Sequence, residues 1–288
     1  MSPNMVGALL MMGSMACFTL NDIFLKLTAG TVPLFQLLAM RSAITCALIL
    51  LVRDRMGVMH FRIARRDWGF IAARALSEVV IAYFFLNALF NMPIANLTAI
   101  LQVVPLAVTL GSLIFLREAV GWQRLTAIGI GFCGVLLIVK PGGDGFNVWS
   151  IYALIAMLGV TFRDLITRRL SPSVPSITVT LVTAATILFT ARLASLGTPW
   201  VAFDMGTGVL IAGSALSILG GYFFSIQVMR SGDVSFTAPF RYTGLIFALV
   251  AGWFVFAEWP GVLTMIGAVI VVATGIFTFY RERKLSRR

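Results

Sequence analysis

A chain of 288 residues that is 59% hydrophobic and 11% charged, with a mean hydropathy of +0.97, cannot stay monomeric in water; soluble domains carry roughly 25% charged residues. A net charge of +11 would point to nucleic acid in a soluble protein, but in this composition the charges have to be sorted by loop first. Cys17, Cys46 and Cys133 fall inside apolar runs at an odd count with no metal-ligand spacing, which argues against a disulfide framework and leaves no metal or cofactor site to expect.

Residues 4–26, 32–52, 68–90, 94–116, 122–140, 147–168, 175–196, 207–229, 234–256 and 260–280 form ten apolar runs. Each is long enough to cross a ~30 Å hydrocarbon core as a helix. A membrane β-barrel would need alternating segments of about 10 residues, and these runs are continuous and longer. The expected fold class is therefore an all-α integral membrane protein of ten spans. The first run leads into Asn21-Asp22 without a basic stretch before it or a small-residue cleavage site after it, and is read as a mature span rather than a signal peptide.

With the amino terminus inside, the inside loops hold fifteen basic residues: Arg53, Arg55, Arg62, Arg65, Arg66, Arg117, Arg124, Arg168, Arg169, Arg230, Arg281, Arg283, Lys284, Arg287 and Arg288. The outside loops hold Lys26 and Lys140. The positive-inside rule then sets both termini in the cytoplasm. The basic charge becomes topology plus attraction to anionic lipid, so the bilayer is the expected partner, with no role for nucleic acid and no sign of an obligate protein partner. Trp68, Trp122, Trp149, Trp200 and Trp259 lie at or near span ends, as interfacial anchors do.

Tyr83-Phe84-Phe85, followed by Thr98-Ala99, recurs 139 residues later as Tyr222-Phe223-Phe224, followed by Thr237-Ala238. Glu118 corresponds to Glu258 at an offset of 140, and Asp22 and Lys26 to Asp164 and Arg168 at 142. A long internal repeat of this kind divides the chain at 1–140 and 141–288. Five spans in each half is an odd number, so the second half enters the membrane from the opposite side. Inverted repeats recur in secondary transporters with a substrate site near the midplane, an association that architecture alone does not make into a function. The short connections at Asn91-Met92-Pro93 and Arg230 to Asp233 make spans 3/4 and 8/9 antiparallel hairpins.

Arg41 in span 2, Pro105 in span 4, the Phe115-Leu116-Arg117-Glu118 end of that span and Leu125…Gly134-Val135 in span 5 resemble the EamA-type repeat of the drug/metabolite transporter superfamily. The second half echoes it with Phe256-Ala257-Glu258 and Leu263…Gly267…Gly275. The resemblance implies a ten-helix transporter of small-molecule substrates with a central cavity, similar in kind to bacterial inner-membrane exporters of amino acids, aromatic ones included. The family also holds uptake carriers for cofactors and nucleotide sugars. Small multidrug relatives carry a central glutamate in the first helix; here the acid is Asp22, near the outer end, which counts against proton-driven drug antiport.

Charged groups inside a bilayer cost several kcal/mol unless paired or solvated, which singles out Asp22, Arg41, Arg74, Glu78, Arg163, Asp164 and Arg241. Arg74 and Glu78, Asp164 and Arg168, and Asp22 and Lys26 are each spaced i,i+4, as ion pairs or as gates. Arg41 needs a partner from another span, Asp22 or Glu78 being nearest in topology, or faces a cavity. Arg241 has no acid within i±4 and sits between Phe240 and Tyr242. Its guanidinium can hold a carboxylate or phosphate in a water-filled cavity, with its repeat mate Gln102 opposite, or form a buried pair with Asp22 or Asp164. Tyr83, Asn87, Asn96 and Tyr222 put polar tips on the repeated hairpins, suited to a zwitterion with a large side chain or to helix packing. Gly129, Gly131, Gly134 and Gly213 read as close-packing positions. No HExxH, serine elbow, carboxylate dyad on one helix or P-loop is present, which disfavours an enzyme or an ATP-driven pump.

Overall fold

The computed structural model describes residues 3–56, 59–117, 121–140, 147–231 and 234–286. They form ten helices long and apolar enough to cross a membrane. Spans 1 to 3 are Pro3–Leu27, Leu34–Met56 and Arg65–Asn91. Span 4 is composite, Ile94–Leu101, Val104–Gly111 and a wide turn Ser112–Leu116. Spans 5 to 8 are Trp122–Val139, Val148–Thr167, Ser176–Ala194 and Met205–Ser231. Span 9 joins Val234–Thr237, a 3-10 segment Ala238–Tyr242 and Thr243–Phe256, and span 10 is Val262–Ser286. An even number of spans leaves both termini on one face.

Helix ends follow local chemistry. Asp204 accepts from the Thr207 hydroxyl at 2.6 Å and from the amides of Thr207 and Gly206, which starts span 8 and holds its carboxyl below the ordinary carboxylate range. Asn147 accepts from the Ser150 amide at 3.1 Å and starts span 6. Span 3 begins at Arg65, three residues before the expected start, because Asp67, 3% exposed, faces inward and accepts the Ser171 amide at 3.2 Å.

Spans 4 and 9 break at matching places, around Gln102-Val103 and around Ala238–Tyr242. Pro105 and Pro239 explain both breaks, since proline lacks an N–H and its ring collides with the carbonyl four residues back. Both spans also end on a left-handed non-glycine residue, Arg117 at φ 56° and Ala257 at φ 52°. Each precedes one of the two repeated glutamates; Glu118 lies outside the described residues.

The expected hairpins splay. Span 3 packs along spans 6 and 7 and touches span 4 little. The most extensive contacts pair span 1 with 8, 3 with 6, 2 with 7 and 5 with 10, while span 4 packs on spans 6 and 9 and span 1 also meets span 9. These pairs all cross between the halves, and exchanging each span with the one five places on maps them onto themselves. Spans 5 and 10 cross backbone to backbone, with a Cβ on Gly134 meeting the Gly267 carbonyl at 2.9 Å. Gly131 and Gly213 are close-packed as expected, against Leu106 and Phe24; Gly129 is not, since a Cβ there meets only open space.

Candidate functional site

Between spans 2, 3, 7 and 8 lies a polar cavity of about 40 Å³, lined by Arg41, Ser42, Thr45, Arg74, Glu78, Thr180, Thr183 and Tyr222, with Ala184, Ile187 and Ile218 as its apolar wall. At the ~10–15 Å³ that one water requires, this is room for roughly three waters. Glu78 stands at the middle of its 27-residue helix. Arg41 lies seven residues into span 2, about 10 Å from its end at 1.5 Å per residue. The cavity is thus near the midplane.

Its charges are arranged across helices. Arg163 of span 6 forks between Glu78 Oε2 at 3.1 Å and Asp164 Oδ1 at 2.8 Å, with all three side chains mostly buried. Satisfying both carboxylates through one guanidinium is what a low-dielectric site requires, because a lone buried charge costs several kcal/mol. Arg74 donates to the hydroxyls of Thr167 and Thr183, each at 3.0 Å. The Arg41 guanidinium makes no hydrogen bond or ion pair within the described residues; Tyr222, Asp22 and Glu78 are its electrostatic neighbours. A guanidinium in a polar cavity with its donors unspent is poised for an anionic group, which it can bind bidentately.

Three expected pairings do not form. Arg74 does not pair with Glu78, because hydroxyls on spans 6 and 7 take its donors while Arg163 takes the carboxylate. Asp164 bonds the adjacent Arg163 rather than Arg168, whose Nη1 donates to Ser112 Oγ at 3.0 Å. Asp22 accepts from Asn21 Nδ2 at 2.9 Å. Lys26 turns away from it to Glu258 Oε1 and the Met92 carbonyl, both at 2.7 Å, and lies 5.0 Å from the Phe256 ring centroid. Glu258 Oε2 accepts the Ile94 amide at 3.1 Å. This clasp ties span 1, the turn between spans 3 and 4, and the end of span 9 on the face opposite the termini. On the other face Arg168, the repeat mate of Lys26, and Arg169, which donates to the Phe115 carbonyl at 3.2 Å, tie span 6 to the end of span 4.

The other candidates lie outside the cavity. Arg241 sits in the 3-10 segment of span 9, pairs with neither Asp22 nor Asp164, and meets its repeat mate through the backbone, Gln102 Nε2 donating to the Arg241 carbonyl at 3.4 Å. Tyr242 is buried in the core, its hydroxyl against Gly275, where no Cβ would fit. Tyr83 belongs to an aromatic cluster, 6.1 Å from Phe35, 5.3 Å from Phe84 and 6.3 Å from Tyr152. Asn87 donates to the Tyr83 carbonyl within its own helix at 2.8 Å. Asn96 is half-buried in span 4, and its Oδ1 has no partner among the described residues. The cavity thus gathers Arg41 and Tyr222 with Arg74 and Glu78. The sequence reading missed Ser42, Thr45, Thr180 and Thr183, whose signal was hydroxyls three apart in apolar helices. Among the described residues no His/Cys/Asp/Glu cluster could hold a metal.

The profile of the EamA-like transporter family matches residues 5–140. The chain is 30% identical over 255 residues to the riboflavin transporter of Vibrio cholerae serotype O1, covering 85% of this chain and 83% of that one. It is 26% identical over 282 residues to the pseudopaline exporter of Pseudomonas aeruginosa, covering 94% of each. Its match to the S-adenosylmethionine uptake transporter of Rickettsia conorii is 27% identical over 199 residues, 68% of this chain and 66% of that one, just under two thirds of the relative's length. A solved crystal structure shares the fold at a TM-score of 0.68 and 18% identity, covering 97% of this chain and 98% of the other.

Proposed function

We infer the function from one premise: this chain belongs to the EamA-like transporter family. It is a multi-pass membrane protein whose relatives carry small molecules. We propose that it is a secondary transporter that exports small organic metabolites, amino acids and aromatic ones among them, by alternating access between two inverted five-helix halves, 1–140 and 141–288. Its place is the bacterial inner membrane, with both termini cytoplasmic.

The observation that carries this reading is the cavity near the midplane, where Arg41 keeps its donors beside Arg74 and Glu78. A substrate carboxylate suits the two guanidiniums, an ammonium suits Glu78, and Ala184, Ile187 and Ile218 offer an apolar wall to a side chain. The cavity's water-sized volume supports a cycle that must open it to load and release a metabolite. The pairing of spans across the halves supports their two-fold relation. A second reading, uptake of a vitamin or cofactor, is favoured by the names of the riboflavin and S-adenosylmethionine relatives.

Counterflow in liposomes preloaded with amino acids, riboflavin or S-adenosylmethionine, with and without a pH gradient, tests the proposal. Acceleration by several amino acids supports export of that class. A response to riboflavin or S-adenosylmethionine alone moves the chain to the second reading, and no counterflow with any of them overturns both.

A further inference from the structure

On the face opposite the termini, spans 2 and 7 leave a groove of about 500 Å³ open to the surrounding membrane. Ala43 and Ala185 make it deep, and Leu188 and Phe189 wall it with apolar surface. From Ala185 to Arg192 the helix rises about 10 Å, within the ~15 Å that half of a hydrocarbon core provides. The groove therefore runs from the interface down through most of one leaflet.

Its mouth is built with more care than a gap between helices needs. The Arg192 guanidinium carbon lies 4.4 Å from the Trp200 ring centroid, and Trp200 Nε1 donates to Ser195 Oγ at 3.3 Å. The loop carrying Trp200 is pinned to span 2 by Gln36, 1% exposed, whose amide donates to the Val201 carbonyl at 2.8 Å and accepts the Val201 amide at 2.9 Å. The indole face thus holds a cation over the groove, while the Arg192 side chain makes no hydrogen bond or ion pair among the described residues. This arginine also runs against the charge trend of the chain, whose basic residues gather on the face of the termini.

We propose that this groove is a phospholipid site. One acyl chain lies along Ala43, Ala185 and Phe189, and the lipid phosphate sits on Arg192. Phosphate is the anion that a bilayer presents at this depth, and a guanidinium with its fork unspent is its complement. The small residues leave room for the chain, and the Gln36 hydrogen bonds keep the mouth in place.

The test uses the full-length protein in nanodiscs that contain phosphatidylglycerol doped with a phospholipid bearing a diazirine in its acyl chain, with adducts mapped by peptide mass spectrometry. Labelling should concentrate on the peptides holding Ala43 and Phe189. Excess phosphatidylglycerol should compete it away, and a diacyl galactolipid without phosphate should not. Arg192→Gln should lower labelling about tenfold, the effect of losing one charge-assisted contact, and Ala185→Trp should abolish it by filling the groove. Both positions are exposed, so neither change disturbs the core. Even labelling over all membrane-facing helices, no effect of Arg192→Gln, equal competition by the galactolipid, or a crosslink to a second copy through the same peptides would each overturn the proposal.

Discussion

Arg41 and Arg241 look alike in the sequence, each in an apolar run with no acid within reach on its own helix, yet only Arg41 lines the polar cavity. The difference lies in span 9, where Pro239 converts the backbone around Arg241 into a 3-10 segment, and no spacing rule says where a side chain on such a segment points. The cavity hydroxyls were hidden for another reason. Serine and threonine in helices commonly bond their own backbone four residues back, as Thr45 does to the Arg41 carbonyl and Thr183 to that of Val179; their spacing alone therefore does not mark a site. If Arg41 receives a carboxylate, Arg41→Ala should raise the apparent KM for carboxylate-bearing substrates about tenfold to a hundredfold, the value of about 1.5–3 kcal/mol of charge-assisted bonding. Initial-rate transport in liposomes would read this, and unchanged kinetics would remove Arg41 from the site. Gly275 is set by contact with the Tyr242 hydroxyl. Gly275→Ala should lower stability by about 1–3 kcal/mol through overpacking, and adding Tyr242→Phe should recover part of it, as followed by thermal unfolding in detergent.

At the scale of elements, the ten apolar runs were legible because a continuous hydrophobic stretch of that length has one stable form in lipid. The i,i+4 ion pairs were not, because the rule describes isolated helices. In this bundle Glu78 finds Arg163 on span 6 at 3.1 Å, and Lys26 finds Glu258 across the fold at 2.7 Å. The Lys26–Glu258 clasp also ties span 1 and the end of span 9 to the turn that follows span 3, one wall of the cavity, on the face away from the termini. Glu258→Gln weakens it while keeping the acceptor for the Ile94 amide. With a single cysteine placed at Ser42 in a background lacking Cys17, Cys46 and Cys133, its labelling by a membrane-impermeant thiol reagent from that face should rise about fivefold, for a loss on the order of 1 kcal/mol. Labelling at the unmodified rate would show that the clasp does not hold that face closed.

Over the whole molecule, five identities and a parity argument point to two related halves, but they do not say how spans 1–5 and 6–10 interlock, since sequence adjacency suggested hairpins that the structure splays apart. Span 1 leans on span 8 and span 3 on span 6, so neither half encloses a core of its own. A fragment of residues 1–140 should be protease-sensitive when expressed alone and become protected, with transport restored, when co-expressed with 141–288. Protection of the lone fragment would contradict the interlocked packing. The same pairing limits where directional preference can come from. If the halves are related as proposed, relabelling them converts a conformation open on one face into one open on the other. A chain with two identical halves would then populate both equally, and any resting bias must come from positions where the halves differ. Lys26 against Arg168 and Gln102 against Arg241 are two such positions. Exchanging the members of a pair would reverse that pair's contribution to the bias without moving a helix.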